Sequence, residues 1–194
     1  MKVKTAEIER RVIALLDENE EILEERMAYG DPETELMSLI RSLIPDAARI
    51  VLASAPAASL SESQTIPATG LLHTEGNRAL LPLPEKFLRL VYFRMSDWKR
   101  GIVSTLALDS EEYSLRFPGD GIRYARRRAG AAAVVWYAGR RYLEIFNTGS
   151  RSTVASATCL LVPEIKNGVI DLPQSTVFDV VRKTAEMVNL VITR

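Results

Sequence analysis

Between Phe87 and Met95 the chain runs FLRLVYFRM, and both alternating faces of this segment are mainly apolar. One face carries Phe87, Arg89, Val91, Phe93 and Met95, the other Leu88, Leu90, Tyr92 and Arg94. Successive side chains of a strand point to opposite sides, so this strand must be covered on both. A chain of 194 residues is long enough to supply those layers from its own core. Leu83-Pro84 bounds the segment on one side and SDWKR on the other, where Trp98 is expected as a core plug with Asp97 and Lys99 facing water.

Before this strand the apolar period is helical. Ile8, Val12, Leu15, Leu16, Leu23 and Met27 predict a first amphipathic helix of about six turns, ended by Gly30. Asp31-Pro32 then offers an N-cap and a proline at the first helical position of a second helix. Its predicted inner face is Leu36, Leu39, Ile40, Leu43, Ala47 and Val51, and the two helices are expected to form a hairpin. Pro45 cannot donate to the carbonyl of Arg41, so a kink is expected there.

After AASLSESQTIPATG, which reads as a loop, the period shortens. Turn signals at Glu75-Gly76-Asn77, Pro82 and Pro84, Asp120-Gly121, Ala138-Gly139 and Asn167-Gly168 separate short strands. Ala132–Tyr137 and Tyr142–Phe146 read as a hairpin turning near Gly139, and Cys159–Val162 as another strand. A last helix is predicted from near Ser175, with Val177, Val180, Val181, Thr184 and Val188 on one face. The expected fold is α+β, with an N-terminal helical hairpin and a C-terminal helix packed with a small, mostly antiparallel sheet. It is read as a single domain, 1–194, with a helical part at 5–56, a loop at 57–70, a strand-rich part at 71–172 and a C-terminal helix at 174–190.

Charge narrows the partners. Twenty-five basic and twenty-five acidic residues balance, so the overall field favours neither nucleic acid nor an anionic membrane, and any such binding must be local. One cysteine forms no internal disulfide, the opening MKVKTAEIERR lacks the apolar core of a signal peptide, and no run reaches the length of a membrane span. The expectation is an intracellular, cytoplasmic protein without membrane contact.

The residues that could carry chemistry are sparse. His73 and Cys159 are lone residues far apart in sequence and without an activating motif, so both are read as structural. Structural zinc wants four Cys or His ligands, and FPGDGIRYARRRAG lacks the spacing and trailing Lys-Ser/Thr of a phosphate-binding loop. No metal, cofactor or catalytic residue is assigned, and the chain is read as not an enzyme.

Two charged segments remain. Glu20, Glu21, Glu24 and Glu25 follow Asp17 and Glu18 on the first helix, where a solvated face is the plain explanation. The helix dipole prefers the opposite order to this one, with Lys2, Lys4, Arg10 and Arg11 near the start, so the acids are also a candidate partner surface. Arg123, Arg126, Arg127 and Arg128, with Arg140 and Arg141 beyond, form a basic cluster near Tyr124, Trp136, Tyr137 and Tyr142. Its readings are a nucleic-acid contact through counterion release, a protein interface, or a solubilising loop. The ending VNLVITR reads either as the last turn of a packed helix or as a strand, including Val191 and Ile192, exchanged onto a neighbour.

LIPDAARIVLASAP after an acidic helix, then LPLPEKFLRLVYFRMSDWKR, SEEYSLRF and GRRYLEIFN, resemble in the same order the head-to-tail connectors, or portal adaptors, of tailed bacteriophages. The likeness is to short-tailed and crAss-like phages and related prophages, and its most specific part is Leu83, Pro84, Phe87, Leu88, Leu90 and Trp98. The resemblance implies a virion structural protein assembled in the cytoplasm and placed at the head-tail junction. Its partners would be the portal, tail proteins and its own copies, in a ring commonly of twelve or as a monomer until its template is present. It implies at most weak, non-specific DNA contact. The residues alone leave two other functions open: a small intracellular ligand-binding domain or enzyme using a sheet pocket near His73, and a nucleic-acid-binding protein using the Arg123–Arg128 loop.

Overall fold

The computed structural model describes residues 1–17, 32–60, 63–74, 77–114 and 130–192. The fold is α+β. Contacts gather the chain into two compact units, one of Met1–Glu62 with Val162–Arg194 and one of Ser63–Leu161. The sequence reading drew one domain along the chain, whereas here the C-terminal stretch joins the N-terminal helices.

In the first unit, β1 (Lys2–Lys4) leads into α1 (Thr5–Asp17), followed by α2 (Pro32–Ser54) and a 3-10 turn at Ala57–Ser59. β9 (Ile165–Lys166), β10 (Val169–Asp171) and α4 (Val177–Ile192) complete it, with an antiparallel sheet in the order β1-β10-β9. Asn167 and Gly168, both at positive φ, turn β9 into β10, and the Gly168 carbonyl accepts from the backbone N–H of Thr5 at the start of α1. α1 buries Ile8, Val12 and Leu16, and α4 buries Val177, Val180, Val181, Thr184, Ala185 and Val188. Glu9 is also buried on α1, and the Arg41 guanidinium of α2 holds it in a two-pronged pair, Nε to Oε1 at 2.8 Å and a terminal nitrogen to Oε2 at 3.0 Å. Such a pairing satisfies a carboxylate that would otherwise be costly to bury.

The inner face of α2 differs from the sequence expectation. Ile40, Ile44, Ala47, Ala48 and Leu52 are buried, while Leu36, Leu39, Leu43 and Val51 are half-buried at its flank. The large leucines drew the predicted face toward themselves, but the centre of the stripe carries two adjacent alanines whose small side chains let neighbouring elements approach. Pro45 lies within one continuous helix, so the chain does not restart there. The predicted Gly30 stop, the Asp31 cap, and Leu23 and Met27 lie outside the described residues.

The second unit holds two antiparallel sheets. β2 (Gln64–Thr65), β8 (Val154–Leu161) and β5 (Phe87–Met95) form one, with β8 in the middle. β3 (Leu72–Thr74), β4 (Arg78–Pro82), β7 (Arg140–Phe146) and β6 (Ala131–Tyr137) form the other in the order β3-β4-β7-β6, and a one-turn helix, α3 (Glu111–Ser114), lies between β5 and β6 in sequence. Their shared core gathers Leu81, Phe87, Leu90, Phe93, Met95, Trp98, Leu143, Ile145 and Cys159.

β5 is apolar on both faces as predicted, with Leu90 and its neighbour Val91 both buried. Its strict alternation is not kept: the ladder to β8 slips between Phe87 and Arg89, between Leu90 and Tyr92, and between Arg94 and Met95. Each slip places an extra residue on one strand and re-aims the side chains beyond it. Trp98 is buried at the corner after β5, its ring edge-on to Phe93 at 5.5 Å and its Nε1–H donated to the Asn147 carbonyl at 2.9 Å. Asp97 does more than face water: its carboxylate accepts from the Gly149 N–H at 2.7 Å and from the hydroxyls of Ser152 and Thr148. Partial burial alone would raise its pKa, but these hydrogen bonds outweigh it and hold the carboxyl below its ordinary value.

Candidate functional site on the β6–β7 hairpin

β6 and β7 pair residue for residue from Ala131 with Phe146 to Tyr137 with Arg140, closing through Ala138 and Gly139. Both turn residues have positive φ, 47° and 76°, which a two-residue type I′ turn requires. The register sorts side chains by face. Trp136, Val134 and Ala132 share a face with Arg141, Leu143 and Ile145, and Tyr137, Val135 and Ala133 share the other with Arg140, Tyr142 and Glu144.

The first of these faces is core at its base and open at its tip. Ala132, Leu143 and Ile145 are fully enclosed, yet Trp136, two positions beyond Val134, is 72% exposed. Arg141 bridges the change. Its guanidinium lies 5.8 Å from the Phe87 ring centre and 5.9 Å from that of Trp136, and it donates to the backbone carbonyl of Glu85. Leu83 donates its N–H to the Arg141 carbonyl, so the Leu83–Phe87 turn is tied to the hairpin.

On the second face, Glu144 is buried and accepts from Arg78 at 3.2 Å and from the Tyr113 hydroxyl at 3.0 Å. Farther out, Tyr137, 63% exposed, meets Tyr142 edge to face at 6.2 Å. The tip thus presents an indole and a phenol on a hydrogen-bonded ribbon, with exposed Arg140 between strand and turn.

The predicted basic cluster is only partly placed. Arg140 and Arg141 sit at the tip, while Arg123, Arg126, Arg127 and Arg128 lie outside the described residues, as do Glu20, Glu21, Glu24 and Glu25. Gly130, where the described chain resumes, stands at the far end of the seven-residue β6 from the turn, roughly 20 Å away. Val191 and Ile192 continue α4 as helix, with Val191 exposed. Of the resemblance motif, Phe87, Leu90 and Trp98 are buried and Leu83, Pro84 and Leu88 half-buried.

His73 and Cys159 belong to different sheets. His73 is exposed on β3, with Nε2 2.9 Å from the Ser152 carbonyl oxygen. Cys159 is buried in β8 opposite Gln64 and Leu90, and burial pushes its thiol up to about 11, away from the reactive thiolate. Among the described residues no group of three His, Cys, Asp or Glu stands together to hold a metal, and no helix is long and apolar enough to cross a membrane. The exposure of Trp136 escaped the sequence reading, because AAAVVWY has the composition of a buried strand. No family model matches the chain, and none of the curated proteins matches it.

Proposed function

We propose that this chain is a non-enzymatic structural protein of a phage or prophage virion, an adaptor forming a ring between portal and tail. What carries the reading is the seat of the resemblance to connector proteins. Phe87, Leu90 and Trp98 are buried in the strand and corner that support an exposed aromatic and arginine hairpin. A rigid strand core beneath a protruding Trp, Tyr and Arg tip suits a protein whose work is to meet other proteins. In the same reading the chain gathers beneath a portal, self-associates there and leaves DNA contact weak.

The test is co-expression with the portal protein of the same genome, purification through a tag on the portal, and imaging of the complex. The reading expects a second ring stacked on the portal. A portal recovered bare, beside a well-folded free chain, overturns it and moves weight to a ligand-binding role near His73.

A further inference from the structure

We propose that the β6–β7 tip is the docking element of this chain, and that its partner is a protein surface with an apolar pocket rimmed by carboxylates. The inference rests on the assembly reading above and adds which surface docks and what chemistry receives it. Trp136 and Tyr137 are 72% and 63% exposed side by side at the end of one strand, pointing to opposite faces, so together they form a wedge. Trp, Tyr and Arg are the residues that dominate binding energy at protein interfaces. The wedge is also held in shape before binding, by the two-residue turn, by the Tyr137–Tyr142 contact and by Arg141 clamped on Phe87 and the Glu85 carbonyl. Preorganisation of this kind removes ordering cost from association.

Charge decides between partner classes. Among the described residues, Arg140 and Arg141 stand at the tip beside Glu85, a positive excess that complements an acidic rim. A nucleic-acid site works through several phosphate contacts, each contributing about 0.9 to the salt slope, and a strongly salt-dependent binder makes roughly six to ten. Arg141 is turned onto Phe87 and the Glu85 carbonyl, so among the described residues the tip holds too few cations for a phosphate track but enough for a carboxylate. Aromatic anchors with a sparse basic rim fit a protein.

The test uses the full chain and the portal capture described above, with W136A, Y137A and R140E at the tip and L190A on exposed α4 as the control. Circular dichroism confirms that each variant folds. W136A and R140E are expected to lower capture at least tenfold, with L190A within twofold of the parent. Undiminished capture by all three tip variants overturns the docking assignment while leaving the assembly reading intact, whereas a parent chain that captures no portal overturns both. A fluorescent oligothymidine is titrated in parallel at low and moderate salt. Tight, salt-dependent binding lost in W136A would assign the tip to single-stranded nucleic acid and overturn the protein partner.

Discussion

Replacing Gly130 with alanine probes how tightly the corner after β5 is built. A Cβ there would stand 2.1 Å from Cδ2 of Trp98 and 2.3 Å from Cε2 and Cε3. Carbon atoms settle at about 3.5 Å, so ring and backbone must part by about 1.4 Å. The indole has little room to retreat, because its ring is edge-on to Phe93 and its Nε1–H is held by the Asn147 carbonyl at 2.9 Å. Overpacking of this kind costs about 1–3 kcal/mol. Losing the hydrogen bond of a buried N–H adds about 1–3 kcal/mol, for a total of about 2–6 kcal/mol. Urea unfolding followed by Trp98 fluorescence in a Trp136→Phe background measures it, since the chain has two tryptophans. Gly139→Ala is the control. Its Cβ meets nothing within 4 Å, so it carries only the backbone strain of φ +76°, about 1–2 kcal/mol. Adding Trp98→Leu, with unfolding then followed by circular dichroism, should make Gly130→Ala markedly cheaper. A loss under about 0.5 kcal/mol for Gly130→Ala alone would refute the described corner.

Other outcomes follow from the same coordinates. Ala138→Asn should stabilise the hairpin by about 0.5–1 kcal/mol in the same denaturation assay, because asparagine tolerates the left-handed φ of 47° better than alanine. Cys159 should resist a disulfide reagent at pH 8 in the native protein and react only as denaturant opens the core, because burial pushes its thiol up to about 11. Asp97 titrates lower folded than an unfolded aspartate, whose value is about 3.9, so its contribution is complete above that pH and lost as pH falls through the folded value. Asp97→Asn should therefore flatten the acid limb of the stability profile, and an unchanged limb would count against the Ser152 and Gly149 hydrogen bonds.

Local period and turn chemistry were legible where they acted alone. The inner face of α4, from Val177 to Val188, and the Ala138-Gly139 hairpin follow directly from spacing and residue type. Long-range choices were not. Nothing in FLRLVYFRM announces three register slips, since the extra residues are set by the fit to β8. Asp97 finds Gly149 and Ser152 some fifty residues away, which a reading of its neighbours Ser96 and Trp98 does not reveal. The face of α2 was misjudged because leucine outweighs alanine in a hydrophobic pattern, while packing rewards small residues where helices come close. Arg140 and Arg141 are placed by β6 a strand's length from Gly130, which the residue order of the arginine segment alone did not announce. Trp136 stayed hidden as part of an apolar strand, although that strand outruns its core by one turn of the ribbon.

The hairpin is where this account places contact with a partner, and a photo-crosslinking amino acid in place of Trp136 tests that most directly. With the portal complex formed and irradiated, the account predicts crosslinks from position 136 to acidic, apolar-flanked portal peptides, and few from a probe at Leu190, which is also exposed. Crosslinks from position 190 alone, with position 136 silent in an intact complex, would contradict it.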